Sequence, residues 1–256
     1  MSIGIFDSGM GGITVLNEIR KKYPEIDIHF YADTARLPYG EKTKEEILRY
    51  SEEIVEFLLK KNVELIVIAC NTATSLALDE IKNKIDTNII GVIEAGVNGV
   101  INLKSKNVGL IATTATVKSN KYEKVLKNID ENISLYTQPC PLFVTTIESG
   151  EIKGENIDKL INQYVNNISK NIDTLILGCT HYSIIKSSIK NIYNNLNIVD
   201  PSVEIINIIE KRNLIKNKHE NSSTNYYVSG EKQQFKNNLK KIFSIETDNI
   251  FEIKGE

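Results

Sequence analysis

The chain has only three cysteines, no large excess of either charge and no apolar run long enough for a membrane span, and each shortage removes a class of protein. Cys70, Cys140 and Cys179 are odd in number and far apart, which is not the pattern of a disulfide framework and fits a reducing compartment, the cytoplasm. Lys plus Arg total 31 against 33 for Asp plus Glu, so the net charge of −2 gives no overall drive toward nucleic acid or an anionic membrane. A small anionic substrate therefore needs a local site. No G-x-x-x-x-G-K-[ST] occurs, which removes the usual nucleotide phosphate loop. Met1-Ser2-Ile3-Gly4-Ile5-Phe6-Asp7 enters an apolar run without the basic start of a secretory signal, so export is not expected.

What is present is a soluble globular composition, 41% hydrophobic and 25% charged, in a length of 256 residues that suits one large domain or two ordinary ones. Short runs rich in Ile and Val alternate with longer amphipathic stretches, the pattern of βα units feeding a parallel sheet covered on both faces. The runs predict strands at 3–6, 28–31, 64–69, 89–93, 108–112, 134–137, 174–177 and 198–199. Thr43-Lys44-Glu45-Glu46 reads as a capping box opening a helix whose Ile47, Tyr50, Ile54 and Leu58 share one face. Further helices are expected at 14–22, 75–84, 120–128, 156–169, 183–194 and 203–211. The polar stretch 216–225 is expected to be a loop, after which the chain packs back on an earlier part.

The strongest signal is an internal repeat. Glu64-Leu65-Ile66-Val67-Ile68-Ala69-Cys70-Asn71-Thr72 and Asp173-Thr174-Leu175-Ile176-Leu177-Gly178-Cys179-Thr180-His181 are two versions of one unit, a buried strand, a cysteine and a polar helix start. The fold class expected is α/β, with two similar doubly wound halves whose strand ends face each other across a cleft, the usual ligand position in such sheets.

Inverting a stereocentre means removing a proton from one face and returning one to the other, which two opposed acid/base groups accomplish. A thiolate is the basic form of cysteine, and its pKa of roughly 8.5 falls at a helix N-terminus or beside a cation. One cysteine at a strand end is usually a small core residue. Two in parallel contexts, each followed by hydroxyl or amide residues able to hold a carboxylate on helix amides, point to catalysis.

Phe6-Asp7-Ser8-Gly9-Met10-Gly11-Gly12 places a glycine-rich turn after a strand, where backbone can approach a ligand closely. A tight turn capped by Asp7, a phosphate site, and an Asp7 that orients an ammonium or tunes a thiol all fit it. Thr14 replaces the third glycine of G-x-G-x-x-G, so the nucleotide reading is weak. His181, one of three histidines, can exchange a proton with the thiol pair near neutral pH or merely cap its helix. The spacing of Cys70, Cys179 and His181 matches no zinc motif, so no metal is expected.

Phe-Asp-Ser-Gly-Met-Gly-Gly at 6–12, Ala-Asp-Thr-Ala-Arg-Leu-Pro-Tyr-Gly at 32–40, Cys-Asn-Thr-Ala-Thr at 70–74 and Leu-Gly-Cys-Thr-His-Tyr at 177–182 together resemble bacterial glutamate racemase, more than the related aspartate racemases, from residue 3 to about 230. The resemblance implies a cofactor-independent enzyme that interconverts L- and D-glutamate for peptidoglycan, with Cys70 and Cys179 as the proton donor/acceptors. Asp7 and His181 would assist their respective thiols, with Glu148 as a further acidic residue. Ser8, Tyr39, Gly40, Asn71, Thr72 and Thr180 match substrate-binding positions, as do Thr113 and Thr116.

It also implies a first domain of residues 1–96 plus 207–256 and a second of 97–206, and a homodimer without nucleic acid or membrane partners is expected. Ala112, Ser183 and Thr145-Thr146 depart from the usual glycine, proline and Pro-Leu, which bears on loop rigidity. Cys140 has no partner unit and receives no role. The rival readings are an aspartate racemase, a decarboxylase or isomerase with a single essential thiol, and a non-catalytic binding protein or a regulator of a DNA-processing enzyme.

Overall fold

The computed structural model describes residues 1–215 and 222–253. Among the described residues, ten strands make two sheets, and every pairing is parallel. They are β1 (Ser2–Asp7), β2 (Asp27–Ala32), β3 (Leu65–Ile68), β4 (Asn88–Gly91), β5 (Asn107–Ala112), β6 (Ser134–Pro139), β7 (Thr174–Gly178), β8 (Asn197–Val199), β9 (Thr224–Val228) and β10 (Ile250–Glu252). The first sheet runs β10-β9-β2-β1-β3-β4 and the second β6-β5-β7-β8. The class is α/β, as the alternating pattern predicts.

The four-strand order β2-β1-β3-β4 recurs as β6-β5-β7-β8. Each order reverses direction beside its first strand, so a crevice opens at the carboxyl ends of β1 and β3 in one sheet and of β5 and β7 in the other. Those four ends deliver Asp7-Ser8, Cys70, Thr113 and Cys179. The repeat seen in sequence is thus a repeat of topology.

Helices cover both faces of each sheet, and this explains the near-continuous apolar strands. In β3, Leu65 and Val67 join the core beneath helices Ile13–Lys22 and Pro201–Lys211, while Ile66 and Ile68 join the core beneath helix Lys44–Leu59. That last helix begins at the expected capping box, with Glu46 N donating to Thr43 Oγ1 at 3.2 Å and Thr43 N to Glu46 Oε2 at 2.8 Å. Ile47, Tyr50, Ile54 and Leu58 are its buried stripe, each large side chain contributing roughly 1.5–3 kcal/mol of transfer free energy.

Three expectations need correction. The apolar run at 89–93 is a strand only to Gly91, and Val92 and Ile93 open helix Val92–Leu103. That helix is buried on most of its surface, and a short apolar run cannot distinguish a buried helix from a strand. The helices at 75–84 and 183–194 start earlier, at Asn71 and Thr180, and each breaks into two short pieces. Part of the loop predicted at 216–225 lies outside the described residues, but Thr224 already belongs to β9, which pairs with β2. Helices Pro141–Glu148 and Lys232–Phe243 and strand β10 had not been expected. Among the described residues, no helix is long and apolar enough to cross a membrane.

Candidate active site

Cys70 ends the β3 run as the N-cap of helix Asn71–Leu76, where its Sγ accepts the Ala73 amide at 3.5 Å and lies 3.9 Å from Ser8 Oγ. Cys179 stands at the same point after β7, as the N-cap of helix Thr180–Ile184, with Sγ 3.7 Å from His181 Nδ1. Both thiols line one cavity between the two sheets. Ser8, Tyr39, Gly40, Asn71 and Thr72 line it from the first sheet, Thr113 and Thr180 from the second. The space between them is about 10 Å³, room for roughly one water.

Behind Cys179 the chain of contacts continues. His181 Nε2 lies 2.7 Å from Glu148 Oε1, and that oxygen also accepts the Met10 amide at 3.0 Å. Asp7 is fully buried, with Oδ1 accepting the Thr180 hydroxyl at 3.1 Å and Oδ2 the Gly9 amide at 3.1 Å. The β1 turn therefore touches the Cys-Thr-His turn of the other sheet directly.

This contact accounts for the glycines. A Cβ on Gly11 would lie 2.5 Å from both His181 Nδ1 and Thr180 Oγ1, and one on Gly9 would collide with the Glu148 carboxylate and Leu37. Neither has the positive φ that demands glycine for the backbone alone. The space that a phosphate would take in the nucleotide reading is filled by protein side chains.

Burial, with the nearby Asp7 charge adding to it, pushes the Cys70 thiol up to about 12. Burial likewise raises the Asp7 carboxyl, against the lowering influence of His181 and of the hydrogen bonds from Gly9 and Thr180. For His181 burial acts to lower the pKa, but the hydrogen bonds to Cys179 and Glu148 and the Glu148 charge outweigh it and hold the imidazole well above its usual value. The two thiols thus have unlike surroundings, Cys70 raised beside the buried Asp7 and Cys179 beside His181, whose proton the Glu148 carboxylate favours. Replacing Glu148 with Gln removes the charge that holds this proton. His181 is expected to titrate at lower pH in that variant, and an unchanged imidazole midpoint by NMR would contradict the arrangement.

Hydroxyls and amides complete the lining. Thr72 Oγ1 lies 2.9 Å from Thr113 Oγ1 and 3.3 Å from Thr116 Oγ1, so Thr116 meets the cavity only through its neighbours. Tyr39 donates its hydroxyl to the buried Asp33, which also accepts from Ser229 Oγ at 2.7 Å. Asn71 Oδ1 accepts the hydroxyl of Tyr122 at 2.7 Å.

Asp7, His181 and Glu148 sit behind the lining rather than in it, while Pro38 and Val144 line the cavity without having been foreseen. Val144 lies on the unexpected helix Pro141–Glu148, whose signals were Pro141 at its first turn and the apolar pair Phe143 and Ile147. Ser183 donates to Asp200 Oδ1 at 2.8 Å. Thr145 and Thr146 bond back to the Leu142 carbonyl at 3.1 and 2.8 Å, away from the cavity. Cys140 is buried, with Sγ 3.4 Å from the Gln138 carbonyl. Among the described residues, no group of three or more His, Cys, Asp and Glu side chains is arranged to hold a metal ion.

The family model described as Asp/Glu/hydantoin racemase matches residues 14–208. The chain is similar to the glutamate racemase of Sulfurihydrogenibium sp. (strain YO3AOP1), 43% identical over 92% of this chain and 91% of that one. It is 46% identical to the glutamate racemase of Aquifex aeolicus over 79% of each chain. The crystal structure of glutamate racemase from Francisella tularensis in complex with D-glutamate superposes with a TM-score of 0.90 at 35% identity, covering 99% of this chain and 97% of that one.

Proposed function

The chain belongs to the Asp/Glu/hydantoin racemase family and is an amino acid racemase, and from that premise we propose that it interconverts L- and D-glutamate by proton transfer between Cys70 and Cys179. The observation that carries this reading is that two thiols at equivalent strand ends of two like-ordered sheets line one cavity. The relatives are glutamate racemases, one solved with D-glutamate bound.

In the proposed reaction, the thiolate of one cysteine takes the α-proton from one face of glutamate. The thiol of the other delivers its own proton to the opposite face, so one proton enters and one leaves the carbon. Which cysteine acts first as base depends on the enantiomer bound, and each turnover leaves the two with exchanged protonation, Cys70 beside Asp7 and Cys179 beside His181. His181, held by Glu148, keeps the charge balance at Cys179. The pair titrates as a unit.

The α-proton is weakly acidic, so negative charge developing at the carboxylate needs preorganised donors. The Ser8, Thr72, Thr113 and Thr180 hydroxyls, the Asn71 amide and the Tyr39-Gly40 backbone supply them in this reading. Glutamate is larger than the cavity as it stands, so binding requires the lining to open, and closure over the substrate would expel water. The proposal includes domains of 1–96 plus 207–256 and 97–206, a cytoplasmic homodimer, and D-glutamate supply for peptidoglycan.

Purified protein is expected to racemise either glutamate enantiomer with no pyridoxal phosphate and with chelator in excess, as followed by circular dichroism. Aspartate should be much poorer, because a shorter side chain leaves buried donors unpaired at about 1–3 kcal/mol each. Loss of activity on chelation, or equal kcat/KM for aspartate, would sink this assignment.

A further inference from the structure

Asn71 follows Cys70 directly and lines the cavity. Its side-chain amide has two ends of similar shape and opposite character, a carbonyl that accepts and an NH₂ that donates. Only the donor end can receive a carboxylate. A flipped amide would set a carbonyl oxygen against the substrate's negative charge.

Tyr122 is outside the lining of that cavity and 1% exposed, on helix Lys121–Lys127 beside the second sheet. Its hydroxyl donates to Asn71 Oδ1 at 2.7 Å across the boundary between the sheets. The hydroxyl is also backed closely, since a Cβ on Gly96 would lie 3.0 Å from it. The preceding residue, Lys121, pairs with Asp79 on helix Leu78–Lys82, so the start of the tyrosine's helix is tied at two points to the segment after Cys70. Resting on the reading of Asn71 as a substrate donor, we infer that Tyr122 is a positioning residue that pins the Asn71 carbonyl and thereby turns its NH₂ toward the substrate carboxylate. Burial, with the nearby Cys179 and Asp200 adding to it, raises the phenol pKa, so the hydroxyl keeps its proton and remains the donor.

The test is a double-mutant cycle on the full-length enzyme, with steady-state racemisation of glutamate and thermal unfolding measured for each variant. Tyr122→Phe keeps the ring and its packing. It is expected to raise KM about tenfold, the weight of one hydrogen bond to a charged group, while kcat changes less than about twofold. Asn71→Ala should raise KM at least as much. In the Asn71→Ala background, Tyr122→Phe should have almost no further effect on KM.

A Tyr122→Phe effect that multiplies with that of Asn71→Ala overturns the inference, as does a fall in kcat at unchanged KM. A raised KM for Asn71→Ala beside an unchanged KM for Tyr122→Phe overturns it while leaving Asn71 as a substrate donor. An unchanged KM for Asn71→Ala overturns both.

Discussion

Alanine in place of either Cys70 or Cys179 is expected to cut glutamate racemisation by at least about 10³-fold in both directions, within the range that positioned acid–base groups contribute. One face of the α-carbon is then left without an acid or base, and the remaining thiol can only exchange a proton on its own side. Serine is nearly as damaging despite its similar size, because a hydroxyl is too weak an acid to rest as the base. A serine variant still keeps one working thiol, however, and that thiol can remove an α-proton from the enantiomer that presents it. If the substrate carries a good leaving group at the β-carbon, abstraction is followed by elimination and needs no second proton transfer. Cys70→Ser and Cys179→Ser should therefore eliminate from opposite enantiomers of a β-substituted glutamate. The same preference in both variants, or near wild-type racemisation in either, rules out opposed thiols.

Gly11→Ala is expected to have the next largest effect, although it adds one methyl group and touches no thiol. The new Cβ would lie 2.5 Å from His181 Nδ1 and Thr180 Oγ1, so the Cys-Thr-His turn must retreat by the better part of an ångström. A displacement of that size in positioned groups costs on the order of 10²-fold in rate, while overpacking a tight contact costs about 1–3 kcal/mol of stability. The expected result is a folded protein with kcat reduced about 100-fold and a modestly lower Tm. Wild-type kcat in a folded Gly11→Ala protein would mean that the glycine turn does not hold the His181 turn in its working place. Because Gly11 does not have a positive φ, backbone strain is not an alternative explanation for the loss.

Features that rest on neighbours along the chain were legible in the residues alone. The two strand–cysteine–helix units could be read directly, because burial on both faces makes a parallel strand apolar throughout and a polar residue at its end marks the cap. The capping box at Thr43 and the apolar stripe from Ile47 to Leu58 were legible for the same local reason. Whatever depends on elements meeting emerged only from the packed chain. Glu148 reaches His181 across 33 positions, and Tyr122 reaches Asn71 across 51, contacts that no local period encodes. β9 and β10 extend the first sheet from the far end of the chain, where a short strand beside a polar stretch gives little signal before it pairs. The glycines at 9 and 11 were visible as a turn, but the use of their missing side chains was not. Sequence fixes where a Cβ is absent; only the packing of two sheets decides which side chains occupy the space it leaves.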